Sequence, residues 1–310
     1  MTKEIHPHRL GLIYAFAALF LWGIHGPAGR FLALQGVNMY VVAALRFWMG
    51  AFVFFLYTLR RGHLRKIRFK ERLRLVLLIA FVGVALNSLF YHLTLIYLPG
   101  TLVMILENLS PVFVLLFSFL LERVRPRFVE LLSLALSLGG VLLIVLGKEH
   151  FHDLHPLFYF GIFLGILTGM TFGVYVYFSA VLVRPLRGRP DDIVAFLMKI
   201  FTITAVLMSP LLLIPGRWPQ TFWEWFWLVE MGIFQSGAAY ILWNYALSLL
   251  PTNETSILFL MTILFTTVNE ILFLHLQLNR YLVAGGLLIM AGGYLLTRKR
   301  RRRLVERGAV

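Results

Sequence analysis

Long apolar runs alternate with short polar breaks along the whole chain, and the runs have the length of a bilayer crossing. A hydrocarbon core takes about 20 mostly apolar residues of helix. Ten runs qualify: 10–33, 40–59, 73–96, 100–121, 128–147, 157–183, 193–215, 225–249, 254–274 and 281–297. The links between them are short, and none is long enough to bury a core of its own. The pattern predicts an all-α polytopic membrane protein of ten transmembrane helices. The run from Leu10 is too long for a signal-peptide core and no small-residue cleavage site follows it, so it is expected to stay as an anchor.

Composition agrees with the pattern. Of 310 residues, 60% are hydrophobic and 14% charged, against about 25% charged in a soluble domain. There is too little polar surface to cover a water-soluble globule. Cysteine is absent, which excludes a thiol nucleophile, a disulfide scaffold and a cysteine-based zinc site.

The formal charge of +15 suggests a nucleic-acid partner until the charges are placed on the runs. With a cytoplasmic N-terminus, 23 of the 29 Lys and Arg fall in segments on that side, 4 fall on the other, and Arg46 and Lys199 lie within helices. This is the positive-inside bias of a plasma-membrane (bacterial inner-membrane) protein with both termini in the cytoplasm. The charge records orientation, and no nucleic-acid partner is expected. The arginine-rich tail adds at most contact with anionic lipid of the bilayer.

Weak self-similarity divides the chain. Gly11, Ala15 and Gly23 match Gly161, Gly165 and Gly173; Trp22 matches Phe172; Arg46 matches Lys199. Tyr97-Leu98-Pro99 matches Leu249-Leu250-Pro251, and Gly139-Gly140 matches Gly292-Gly293. Each half holds five runs, an odd number, so the second must enter the membrane upside down. The expected layout is a five-helix repeat at 1–148, an external linker at 149–156, an inverted repeat at 157–297 and a basic cytoplasmic tail at 298–310. Inverted repeats around a midplane site mark secondary transporters.

Trp22-Gly23, Ala44-Leu45-Arg46-Phe47, and the stretch from Tyr97-Leu98-Pro99 through Ser110-Pro111 to Leu121-Glu122-Arg123 and Gly139-Gly140 resemble EamA-type members of the drug/metabolite transporter superfamily. The second copy departs from the pattern, with Ile263 or Leu264 in place of a second Pro111 and His275 in place of a second Glu122. The resemblance implies a ten-helix secondary transporter, often an exporter, of small metabolites such as amino acids. It implies that Tyr91, Tyr175 and Trp243 face a central cavity, where they are candidates to stack on substrate.

Ionisable groups inside a bilayer are costly and usually face a cavity or a partner. Arg46 and Glu107 both lie roughly 10 Å below the outer end of their helices at 1.5 Å per residue. They are candidates to hold a substrate carboxylate and ammonium, or to form a structural ion pair. Lys199 should lie at matching depth from the other side, with Glu254 at a helix mouth as its nearest acid and a gate candidate. Glu107 and Glu270 are the candidates for proton coupling. Trp22, His25 and Pro27 form a polar, kinked patch in the first run, with His25 able to bind substrate; Pro27 and Pro111 are candidate hinges.

Gly161, Gly165, Gly169 and Gly173 form a ridge expected to pack against the first helix. The glycine pairs of the fifth and tenth runs suggest that those two helices pack together, away from the pathway. His150, His152 and His155 carry metal-ligand chemistry but no closed-site spacing, so neither a metal nor a cofactor is expected. The aromatic cluster Trp218, Trp223, Trp225 and Trp227 reads as an interfacial belt.

No H-E-x-x-H, G-x-S-x-G or P-loop motif occurs, which leaves an intramembrane enzyme or a direct ATP-driven pump without support. A channel or receptor of the same topology is the remaining alternative. A carrier acting as monomer or homodimer on a small molecule is the expectation.

Overall fold

The structure, a computed structural model, describes residues 6–63, 72–97, 103, 106–146, 157–274 and 280–306. The regular elements among them are all helical. In order they are α1 (Pro7–Gly23), α2 (His25–Leu34), α3 (Met39–Arg60), α4 (Leu73–Leu78), a π-helix (Ile79–Leu86) and α5 (Asn87–Tyr97). Then come α6 (Ser110–Glu122), α7 (Phe128–Leu146), α8 (Phe158–Val183), α9 (Pro190–Met208) and α10 (Phe222–Glu230). A second π-helix (Met231–Ala238), α11 (Ala239–Leu249), α12 (Thr252–Phe259), α13 (Thr262–Leu274) and α14 (Arg280–Glu306) complete the chain. Short 3₁₀ turns at Arg184–Leu186 and Ser209–Leu213 follow α8 and α9.

Among the described residues, five helical stretches are long and apolar enough to cross a membrane: Pro7–Gly29, Met39–Arg60, Leu73–Thr94, Tyr159–Leu186 and Pro190–Leu213. Several of their threonine hydroxyls are satisfied within the helix. Those of Thr58, Thr94, Thr168 and Thr171 donate to the carbonyl four residues earlier, at 2.6–3.1 Å, so little polar surface is left to face lipid.

Several runs read from the sequence as single helices are interrupted. The first breaks at Ile24, three residues before Pro27, whose missing N–H leaves the Gly23 carbonyl without its helical partner. The fourth turns at Asn108 and Leu109, and Pro111 stands in the opening turn of α6 rather than in a helix interior. The ninth breaks at Leu260 and Met261 with no proline; the Thr262 hydroxyl donates to the Phe259 carbonyl at 2.6 Å there. At the far end α14 continues through the basic stretch to Glu306. The His150, His152 and His155 loop lies outside the described residues, as does the Glu270 side chain.

The packing is reciprocal. α1 packs on α11 and α13, while α8 packs on α5 and α6. α3 packs on α9 and on the second π-helix, while α9 packs on the first π-helix; α7 packs on α14. The two π-helices hold eight residues each, and every position of the second lies 152 residues after its counterpart, from Ile79 to Met231 and from Leu86 to Ala238. The breaks at 108–109 and 260–261 keep the same interval.

The glycine ridge of α8 does not meet the first helix. A Cβ on Gly165 or Gly169 would strike Leu106, and one on Gly173 would come 2.8 Å from Phe113 Cβ. The ridge thus seats the fourth run. Gly11 and Gly23 instead approach Leu250 and Phe265. The glycine pairs of α7 and α14 do bring those helices together, with Gly140 against Gly285 and Gly292 against Ser137.

Candidate functional site

Where α1 breaks, a cavity of ≈690 Å³, open mouth included, lies between the two halves of the chain. Its ionisable lining is His25, Arg46 and Glu107. Around them stand the rings of Trp22, Tyr91, Phe172, Tyr240 and Phe259, and the uncharged polar groups of Asn87, Asn108, Gln235, Ser236, Thr262 and Thr266. One cation, one carboxyl group, ring faces and amide or hydroxyl groups thus share one enclosed space, the general make-up of a small-molecule site.

The local breaks place these groups. The turn at Ile24 carries His25 to the cavity wall beside Trp22. The turn at 108–109 brings Glu107 and Asn108 to the wall. The second π-helix carries Gln235 and Ser236, and α3 approaches it closely: a Cβ on Gly50 would come 2.8 Å from the Ser236 carbonyl oxygen. π-Helical segments are rare and recur at functional sites.

A chain of polar contacts runs through the site. The Gln235 Nε2 donates to Glu230 Oε2 at 2.8 Å, and Gln235 Oε1 meets His25 Nδ1. Trp22 Nε1 donates to the Gln235 main-chain carbonyl at 3.1 Å. Arg46 Nη1 is 3.2 Å from His25 Nε2 and 3.4 Å from Nδ1, nearly equidistant, so it stands over that edge of the ring rather than on one lone pair. The Arg46 guanidinium carbon also sits 4.8 Å from the Phe47 ring centroid. Its Nε is buried without a hydrogen-bond partner. A buried cationic donor left unmet is costly.

Below the cavity lies a layer of rings. Trp22 lies 5.2 Å, centroid to centroid, from both Trp243 and Tyr240; Phe172 lies 4.5 Å from Phe259, and Tyr175 5.3 Å from Tyr240. Tyr175 and Trp243 are fully buried in this layer and do not line the cavity, contrary to expectation. The Tyr175 hydroxyl accepts from Asn244 Nδ2 at 2.7 Å, so it is occupied within the protein. Beyond the layer, polar contacts join separate helices: His8 Nε2 to Glu254 at 2.8 Å, Ser118 to Asn253 at 2.8 Å, and Tyr57 to Asp191 at 3.0 Å.

The remaining predicted residues fall elsewhere. Lys199 is 3% exposed, outside the lining, with Nζ 4.5 Å over the Phe196 ring. Glu254 meets His8 at 2.8 Å. Arg46 and Glu107 share the cavity, yet Arg46 takes His25 as its nearest polar contact. Among the described residues no cluster of three metal-ligating side chains occurs.

At the other end of α3, a clasp ties the connection before α10 to the α2–α3 turn. Arg217 donates to Glu224 at 2.8 Å and to the Gln35 carbonyl at 3.0 Å, and its own carbonyl accepts from Asn38 N at 2.8 Å. Glu224 also accepts from the Gln220 and Thr221 main-chain N–H groups, closing a capping box. Arg217 first, then the Gln220 N–H, hold its carboxyl down at about 2. Sequence reading passed over Gln235, Asn87, Asn108, Thr262 and Thr266, because uncharged polar residues are common in spans. Phe172 was signalled by its match to Trp22.

Comparison with known proteins agrees with this architecture. The pattern of the EamA-like transporter family matches residues 9–146 and again 159–298. An uncharacterized transporter of Archaeoglobus fulgidus is 29% identical over 278 residues, 88% of this chain and 93% of that protein. A biotin transporter of Salmonella typhimurium is 26% identical over 222 residues, 70% of this chain and 69% of that protein, and one of Escherichia coli is equally similar. A crystal structure with 21% sequence identity superposes with a TM-score of 0.78 over 94% of this chain and 98% of its own, a likeness of fold. The chain belongs to the EamA-like transporter family, and it is an integral membrane protein.

Proposed function

We propose that this EamA-family chain is a secondary active transporter that exports small carboxylate-bearing metabolites, such as amino acids or related compounds, by alternating access around the central cavity. The observation that carries the reading is Arg46: a cation with a buried, unmet Nε–H, set in a ring-lined cavity that also holds Glu107. A carboxylate at Arg46 gains charge-assisted hydrogen bonds of about 1.5–3 kcal/mol. An ammonium group suits Glu107, and an apolar side chain suits the surrounding rings. Biotin, named for two relatives, also ends in a carboxylate.

The proposed frame is ten helices in two inverted five-helix units, with the domain limits given above. The reciprocal packing of α1 and α8, the paired π-helices and the paired breaks support it. With both termini cytoplasmic, as the charge bias favours, the cavity opens outward in this state. The ring layer and the His8–Glu254 contact then close the cytoplasmic side, which makes Glu254 a gate residue. Pro27 hinges the first helix, and Pro111 permits the turn before α6. Glu107 and Glu270 are the proposed proton carriers, and a monomer or homodimer suffices.

The test compares intracellular and medium metabolites in cells with and without overexpression, followed by flux assays on the compounds that move. Depletion inside with accumulation outside, confined to carboxylate-bearing solutes, is expected. Accumulation inside would reverse the proposed direction, and movement of cations alone would reject Arg46 as the substrate anchor.

A further inference from the structure

Glu230 lies outside the cavity lining, yet it is joined to the cavity through a single residue. Gln235 bridges it to His25: the amide Nε2 faces Glu230 and Oε1 faces His25 Nδ1. An ionised carboxylate only accepts hydrogen bonds, which fixes the amide with its NH₂ toward Glu230 and its oxygen toward His25. His25 must then carry its proton on Nδ1. With that edge occupied, Nε2 is the nitrogen left to the cavity, an unprotonated acceptor beside the Arg46 guanidinium.

We propose that Glu230 and Gln235 are positioning residues that set which nitrogen of His25 is protonated, so that uptake of one proton at Glu230 converts the cavity edge of His25 from hydrogen-bond acceptor to donor. A protonated Glu230 donates to the amide oxygen, and the amide turns over. Its NH₂ then faces His25 Nδ1, which must accept, and His25 takes its proton on Nε2. The balance is one proton gained by Glu230. His25 stays neutral throughout: Nδ1 gives its proton to solvent and Nε2 takes one from solvent. In this state Arg46 and His25 both present donors, so an anion and a proton favour each other in the cavity; such coupling is reciprocal. That use rests on the transport reading above, whereas the relay itself stands without it.

The other titratable groups near enough to act electrostatically on His25 or Arg46 are His92 and Tyr91 on α5, Glu107, and Tyr240 on α11. α2 and α13 also bring Arg30 and Glu270, whose side chains lie outside those described. Only Gln235 hydrogen-bonds Glu230 among the described residues.

The test is ¹⁵N-histidine NMR of the full chain in lipid nanodiscs from roughly pH 8 to 5, with the His25 resonances identified by their loss in His25→Asn. No solute is needed, so the outcome is independent of whether transport is found. The expected result is an exchange of the protonated and unprotonated ¹⁵N signatures between Nδ1 and Nε2 as pH falls. The exchange should be lost in Glu230→Gln, which is neutral at every pH, and in Gln235→Met. The wild-type titration decides alone if a variant fails to fold. A fixed tautomer, an imidazolium with both nitrogens protonated, or an exchange that survives in both variants would overturn the proposal.

Discussion

Arg46 and Lys199 lie 153 residues apart in α3 and α9, helices that pack on each other, and their surroundings differ. Arg46 lines the cavity with His25 against its guanidinium, whereas Lys199 is sealed behind it over Phe196. The same split recurs at other positions that the repeat relates. His25 and Tyr91 line the cavity, while Tyr175 and Trp243 are fully buried in the ring layer. Glu107 has Phe259 in its place, 152 residues on. A duplicated scaffold has thus acquired two unlike surfaces, a charged wall from the first half and an aromatic floor dominated by the second. Shared backbone geometry, down to the paired π-helices, does not require shared chemistry.

Four tests, with seven substitutions, probe this division. The largest effect is expected at the floor. Trp243→Ala removes a fully buried ring that meets Trp22 and Phe259 and should cost ~3–5 kcal/mol of stability. Tyr91→Ala, in the half-exposed wall, should cost clearly less; denaturant unfolding in detergent measures both. Equal losses would break the comparison. Next, Arg46→Gln should weaken substrate affinity about 10²-fold, from about 3 kcal/mol of lost charge-assisted bonding. Lys199→Gln should change affinity less than about tenfold and act mainly on the maximal rate, so a matching affinity loss in flux assays would show that both halves bind.

The third comparison uses the π-helix glycines. A Cβ at Gly83 would come 2.9 Å from Tyr175 Cα, which is backbone, and Gly83→Ala should cost ~1–3 kcal/mol. At Gly232 the obstacle is closer, Met49 Cβ at 2.5 Å, which moves only with the α3 backbone, so Gly232→Ala should cost more. A reversed order in unfolding midpoints would place the tighter crossing in the first half.

The smallest effect lies at the clasp. The Glu224 carboxyl is depressed from 4.5 to about 2. Its stabilisation is therefore present above about pH 4.5 and is lost as pH falls toward about 2. Glu224→Gln should remove this part of the acid dependence of Tm while leaving substrate affinity unchanged. An unaltered Tm profile would show that the clasp does not hold the folded state.

Much of the helical pattern was legible because each apolar run reports burial in lipid directly. His25, Arg46 and Glu107 were found by chemistry too costly to leave in hydrocarbon without a use, Trp22 by the kinked patch it shares with His25, and Tyr91 by the family resemblance, and they do share one cavity. The π-helices were not legible: IAFVGVAL and MGIFQSGA differ from ordinary span sequence in nothing that sets a hydrogen-bond register. Gln235 was missed because one uncharged amide stands out only when its neighbours are known. Tyr175 and Trp243 were misplaced because the family resemblance predicts which helices surround the cavity but not which of their side chains face the open space. The glycine ridge of α8 was matched to the wrong helix for a related reason. Small residues announce a close approach without naming the partner, and reciprocal packing gave that partner as the fourth run.

Counterflow in proteoliposomes holding the purified full chain is the most direct test of the central claim. Vesicles preloaded with unlabelled solute are offered trace label, using biotin and a panel of amino acids as probes. A carrier that binds carboxylates at Arg46 predicts transient label accumulation driven by the matching unlabelled solute, and its loss in Arg46→Gln. No exchange with any carboxylate, or exchange of equal size in Arg46→Gln, would contradict it.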